Sequence, residues 1–178
     1  MLDGEKSIIE DAVGGEASAF GALYDHYQPM IYRFVLVKVG HREEAEDLTH
    51  QVFLSAWQNI EGYKDMGFPF SSWLYKIARN AVVDFYRSNK EATSIEQVNP
   101  EFFAVPAAMQ IGMDKIFEID KVRQAIKVLD PIYQDVIMMR FVEDLPIREV
   151  AQALDKSEGA VKLIQHRAMK KLKEILIS

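Results

Sequence analysis

Between Phe70 and Phe85 the apolar residues Phe70, Trp73, Leu74, Ile77, Ala78, Ala81, Val82 and Phe85 keep an i, i+3, i+4, i+7 rhythm. That spacing puts them in one stripe along an α-helix, whereas a half-buried strand would need strict alternation. The same period returns nearly everywhere else. Phe20, Leu23, Tyr24 and Tyr27 form one such set, and Ala45, Leu48, Val52, Phe53, Ala56, Trp57 and Ile60 form another. In the second half the sets are Val122, Ala125, Ile126 and Leu129, followed by Ile132, Val136, Ile137 and Phe141. Strand signals are scarce, so the predicted fold class is all-α.

Breakers divide the helices. Gly14-Gly15 separates a short first helix from the second, Pro29 suits the first turn of a new helix or a kink, Gly40 suits a helix end, and Gly62 stops the next helix. Residues 91–114 interrupt the rhythm with Pro100, Pro106 and Gly112, and they carry four acids with no Lys or Arg. A segment like that reads as a linker. The expected organisation is therefore two small helical domains, residues 1–90 and 115–178, joined by an acidic linker over 91–114. Asp130-Pro131 reads as an N-cap followed by proline in the first turn, which opens a helix inside the second domain.

The net charge of −6 argues against a nucleic-acid binder until its distribution is followed along the chain. Residues 1–90 hold 9 basic and 13 acidic side chains, and residues 115–178 hold 12 and 10. From Lys156 onward, Lys156, Lys162, Arg167, Lys170, Lys171 and Lys173 face only Glu158 and Glu174, a local +4. A chain of this kind attracts phosphate at one end and repels it elsewhere, so it should bind DNA weakly unless a partner holds it there. The absence of cysteine removes disulfides, thiolate zinc sites and cysteine nucleophiles. The acidic start has no apolar stretch of signal-peptide length, and no later run approaches a membrane span. The expectation is a soluble, cytoplasmic protein.

The most specific local pattern lies between Pro146 and Leu172. Ile147, Val150, Ala151 and Leu154 fall on one face of a short helix, Asp155-Lys156 makes a turn, and Ser157 caps a second helix anchored by Val161, Ile164, Ala168 and Leu172. Lys162, His166, Arg167, Lys170 and Lys171 are left on the opposite side. That division is what a helix in the major groove requires: apolar residues set its angle, polar side chains meet base edges, and cations meet phosphates. Two amphipathic helices that merely pack, with solvated lysines, are the plainer alternative.

Here the chain resembles an extracytoplasmic function (ECF) sigma factor of the sigma-70 family. The resemblance rests on the run Ala45-Glu46-Asp47-Leu48-Thr49-His50-Gln51-Val52-Phe53-Leu54-Ser55-Ala56-Trp57 and on Phe70-Ser71-Ser72-Trp73-Leu74-Tyr75-Lys76-Ile77-Ala78-Arg79-Asn80 with Asp84 and Arg87. Both runs are similar to sigma region 2. Leu145-Pro146-Ile147-Arg148-Glu149-Val150-Ala151 and Ser157-Glu158-Gly159-Ala160-Val161-Lys162 are similar to region 4. The chain departs from many relatives after Lys162, where it reads Leu163-Ile164-Gln165-His166-Arg167.

The resemblance implies a non-enzymatic transcription initiation factor without cofactor or metal. Its implied partners are core RNA polymerase (the β′ clamp helices and the β flap), promoter DNA and an anti-sigma protein. The implied polymerase-binding residues are Asp47, Leu48, Gln51, Val52 and Ser55. For the −10 element they are Tyr63, Lys64, Phe68, Lys76, Arg79, Asn80 and Arg87. The loop 62–68 among them has aromatic surface and the cation Lys64, which suit capture of an unpaired base, and a plain surface loop is the alternative. For the −35 element they are Ser157, Lys162, Leu163, His166, Arg167, Lys170 and Lys171. The resemblance implies that the acidic linker threads towards the RNA exit channel; four acids without a base that simply keep it disordered and soluble are the alternative.

Two rival functions have to be weighed. A self-sufficient repressor or activator would need a sensor or dimer surface, and residues 70–87 offer no ligand motif. A metal-dependent hydrolase can be imagined from Asp47 and His50 with Glu43 or Glu46. Nothing elsewhere completes that site, and His26, His41 and His166 are scattered.

Overall fold

The computed structural model describes residues 4–65, 67–88 and 121–177, and every regular element among them is helical. The expected linker 91–114 lies outside the described residues, as does the start of the second domain. The elements are α1 (Glu5–Val13), α2 (Ala17–Val39), α3 (Arg42–Asn59), a short 3-10 turn (Ile60–Gly62), α4 (Phe70–Ser88), α5 (121–127), α6 (Pro131–Ile137), α7 (Ile147–Ala153) and α8 (Glu158–Ile177). None of these helices is long and apolar enough to cross a membrane.

In the N-terminal half, α1 to α4 pack around Leu23, Ile31, Phe34, Val52, Phe70 and Leu74, all fully buried. Aromatic pairs tie the layers together, with Phe34 and Tyr75 5.3 Å apart and Tyr24 and Phe53 4.8 Å apart, both edge-on. Gly40 ends α2 with φ of 83°, where a side chain would be strained, and its N–H donates to the Leu36 carbonyl. Pro29 starts no new helix. It sits inside the 23-residue α2, whose buried residues lie on both sides of it, so tertiary packing carries the helix through the missing N–H.

In the C-terminal half, Asp130 is the N-cap of α6 and Pro131 enters its first turn as expected. The helix then widens into a π-type turn over Met138–Val142. One extra residue in that turn shifts the side chains beyond it by about 100°. Met138 and Met139 are accordingly buried, whereas Phe141, expected in the core, is 51% exposed. Val122 is also more exposed than its helical set suggests, while Ala125, Ile126 and Leu129 are buried.

The α7–α8 pair is built as the sequence predicts. Val150, Ala151, Leu154, Val161, Ala168 and Leu172 are buried, and Asp155 takes the left-handed conformation at the turn, with φ of 50°. The Ser157 hydroxyl accepts a hydrogen bond of 3.2 Å from the Ala160 N–H, which caps α8. Replacing Ser157 with Ala should therefore lower stability by about 1 kcal/mol, and Ser157→Asp should keep most of it. Chemical denaturation of the two variants would test this, and equal losses would show that the cap is not what Ser157 contributes.

Candidate nucleic-acid interface

Tyr63, Lys64 and Phe68 leave the 3-10 turn and loop beside the N-terminal half of α4. Together with Trp73 and Lys76 they line an open cavity of about 290 Å³. Its floor is aromatic: Tyr63 lies 5.2 Å from Trp73 and 5.3 Å from Phe70, ring centre to ring centre. Burial, with Asp65 adding to it, pushes the Tyr63 hydroxyl up to about 12, so the ring stays neutral. That hydroxyl donates to the Phe68 carbonyl at 3.4 Å, which closes the loop on itself. Flat rings, a lysine at the rim and a volume near the lower end of small-ligand sites are what a single stacked base needs. Trp73 is a wall of this cavity that the sequence reading assigned to the core. Its place in the apolar stripe of α4 hid it.

Asn80 and Arg87 are exposed and do not line the cavity, nor does Arg79. Asn80 follows Lys76 by one helical turn, so it continues the face on which Lys76 leaves the cavity. Arg87 lies further along α4, 3.7 Å from Asp84.

The C-terminal half packs against this same face. The guanidinium of Arg148 on α7 sits over the Phe68 ring, 5.0 Å from its centre, and Gln152 lines the cavity. Lys76 Nζ lies 2.8 Å from the Asp155 carboxylate. Arg79 donates at 3.1 Å to Asp135, which is also 2.6 Å from Lys38 Nζ. Arg33 makes a two-pronged pair with Glu143, at 2.9 and 2.8 Å. The side chains of Asp135 and Glu143 are each only 2% exposed. Sequence reasoning had no signal for these contacts, because each joins residues far apart in the chain.

On α8, Lys162, Leu163, His166, Arg167, Lys170 and Lys171 are all exposed, and Ser157 is exposed at the helix start. Lys162, His166 and Lys170 succeed one another at four-residue steps opposite the buried Val161, Ala168 and Leu172, with Arg167 on the flank beside Leu163. Of the three unusual residues after Lys162, only Leu163 faces outward. Ile164 is half-buried, and Gln165 accepts a 3.3 Å hydrogen bond from Arg140 of the π-type turn. Lys171 lies on the side of the helix, 3.7 Å from Glu174.

On α3, Asp47 and Gln51 are exposed and Ser55 is half-buried. Leu48 and Val52, expected among the polymerase-binding residues, belong instead to the core at 5% and 0% exposure. Their helical positions turn them towards α2 and α4, so they can only support a docking surface from beneath. Leu54 has the opposite character. It is 56% exposed, one turn from Gln51, and the sequence reading passed over it.

Asp47 and His50 are both exposed, and among the described residues no group of three or more His, Asp or Glu side chains could hold a metal ion.

Two family models match the chain: sigma-70 region 2 over residues 23–92, and sigma-70 region 4 over residues 125–174. The chain belongs to the sigma-70 family. Within it, the ECF RNA polymerase sigma factor BldN of Streptomyces coelicolor is 34% identical over 172 residues, covering 95% of this chain and 64% of its own length. The chain thus spans less than two thirds of that relative. SigW of Bacillus subtilis, another ECF sigma factor, is 28% identical over 180 residues and is covered for 96% of both chains. The sigma factor RpoE of Bartonella quintana, solved with the anti-sigma factor NepR, shares the fold, with a TM-score of 0.69 at 21% identity over 88% of this chain and 96% of its own. The region 2 span takes in most of α2, all of α3 and α4 and every residue lining the cavity except Gln152, while the region 4 span takes in α6, α7 and most of α8.

Proposed function

We propose that the chain binds core RNA polymerase and directs it to promoters, region 2 opening the −10 element and region 4 reading the −35 element. The observation that carries this reading is the pairing of an aromatic, lysine-rimmed cavity in region 2 with a basic, outward-facing helix in region 4. The first suits an unpaired base and the second a duplex groove, and promoter opening needs both. The division of the chain into residues 1–90, 91–114 and 115–178 follows from the same reading and is supported by the spans of the two family models. No step in it makes or breaks a covalent bond.

Polymerase docking is assigned to the exposed Asp47, Gln51 and Leu54 of α3 with the half-buried Ser55 beside them. Leu54, 56% exposed, gives that surface apolar area that a partner can bury. Leu54→Asp should weaken core binding by about 1 to 3 kcal/mol while leaving thermal stability unchanged. Leu48→Ala should do the reverse, because it opens a cavity in the core. Titration with core polymerase alongside thermal melting separates the two, and a Leu54→Asp variant with parental affinity would move the docking surface elsewhere. An anti-sigma protein that competes for these surfaces is a further proposed partner, and the compartment is proposed to be the cytoplasm, where core polymerase works.

The reading predicts dependence on polymerase. The isolated chain, at −6 overall, should show no sequence-specific binding of duplex DNA at physiological salt, and specificity should appear on adding core enzyme. Electrophoretic binding assays with and without core measure this. Nanomolar specific binding by the chain alone would favour a stand-alone repressor or activator.

A further inference from the structure

We infer that Leu163 is a specificity-determining residue that reads the C5-methyl group of a thymine in the major groove, so that the upstream element contains a T·A pair chosen by apolar contact. The inference rests on the proposed function, because it takes α8 to be the helix that enters the groove. Leu163 is 50% exposed in the second turn of α8, in the half of the helix that meets base edges when such a helix docks. It stands nine residues before the buried Leu172, which at about 100° per residue puts it on the opposite side of the helix from the buried stripe.

The surroundings hold Leu163 in that position. Val161 and Ala168 are fully buried, and the Gln165 amide oxygen accepts the 3.3 Å hydrogen bond from Arg140. Turning Leu163 inward would expose the first two and break the third. Gly159, one turn earlier on the same face, has no side chain to shield Leu163, and the atom closest to where a Cβ would stand is the Ser157 hydroxyl at 4.0 Å. His166, Arg167 and Lys170, all exposed, follow Leu163 at three, four and seven residues and so surround it on the same face. Burying a leucine with that surround against an apolar protein surface would strip water from the charges. Against a duplex, the same groups meet phosphates and base edges.

Leucine has no hydrogen bond to offer, so it cannot follow the donor and acceptor pattern of a base edge. Set against a polar edge, it would remove water from that edge and replace none of the lost hydrogen bonds. The thymine methyl is the apolar group that the major groove presents. Leu163 thus selects thymine twice over, by attraction to the methyl and by the desolvation that the other bases would suffer.

The test uses holoenzyme made with the parent chain to select promoter fragments randomised over the upstream element. Each thymine of the selected element, on both strands, is then replaced singly by deoxyuridine, which differs by the missing methyl. At one position the parent should lose about fourfold in affinity, the worth of about one buried carbon. Leu163→Ala should make that position indifferent to uracil, and Leu163→Met should keep most of the difference. Both replacements are strong helix formers at an exposed site, so the fold is not at stake. An element without a T·A pair, or thymines all indifferent to uracil, would overturn the inference while leaving the proposed function intact. So would a Leu163→Ala holoenzyme that keeps the parental thymine-to-uracil ratio, including one that binds core polymerase less well, which would make Leu163 a polymerase contact. A selection that returns no shared upstream element would overturn the proposed reading of region 4, and this inference with it.

Discussion

Holoenzyme carrying Asn80→Ala is expected to form closed complexes on duplex promoter as the parent does and to lose about tenfold or more in open-complex formation. Extracting one base from the stack costs a few kcal/mol, and this has to be offset by stacking on the Tyr63, Phe68 and Trp73 rings and by polar contacts at the rim. Asn80 is exposed, one helical turn beyond Lys76, and offers both a donor and an acceptor to a base edge. Deleting its amide removes one or two hydrogen bonds worth about 1 kcal/mol each, and these exist only after the base has left the duplex. A template already mismatched across the −10 region should therefore restore much of the activity. Permanganate footprinting on duplex and mismatched templates makes the comparison. Equal defects on both would place Asn80 in folding or polymerase docking.

Arg167→Ala in holoenzyme should cost about 1 to 3 kcal/mol at the preferred −35 sequence and relax the preference at one or two base pairs. Lys171→Ala should weaken all sequences alike and flatten the salt dependence. The geometry explains why the two differ. Arg167 lies on the flank of the exposed face beside Leu163, the face that the proposed reading turns to the base edges, whereas Lys171 lies further round the helix, near Glu174, on the side that reading leaves for phosphates. Binding-site selection with each variant, repeated at two salt concentrations, tests both. An unchanged selected sequence for Arg167→Ala would hand base reading to Lys162 and His166.

What could be read in the sequence was whatever depends on near neighbours. The α4 stripe, the Ser157 cap, the Asp130-Pro131 start and the Gly40 stop all follow from spacing and local backbone chemistry, and all stand in the structure. The reading of Pro29 as a helix start failed because a helix buried on both sides of a proline tolerates it. Phe141 misled because a π-type turn breaks the 3.6-residue period on which its assignment relied. The site was legible in part. Tyr63, Lys64, Phe68 and Lys76 do converge, and the basic residues of α8 do share an exposed surface. Trp73, Leu54 and the acids Asp135, Glu143 and Asp155 were not legible. Trp73 matches a core stripe, Leu54 looks like any helical leucine, and the acids acquire their meaning only from cations some 55 to 110 residues away in the chain.

The central claim, that this chain gives core polymerase its choice of promoter, is tested most directly by transcription in vitro. The purified chain would be mixed with core RNA polymerase and a library of promoter fragments, and the transcripts mapped at their 5′ ends. The account predicts discrete start sites that are absent with core enzyme alone, each preceded by a shared pair of elements, with output lost on fragments lacking the upstream one. Transcripts identical to those of core enzyme alone, from a chain that nonetheless binds a duplex site tightly by itself, would contradict it.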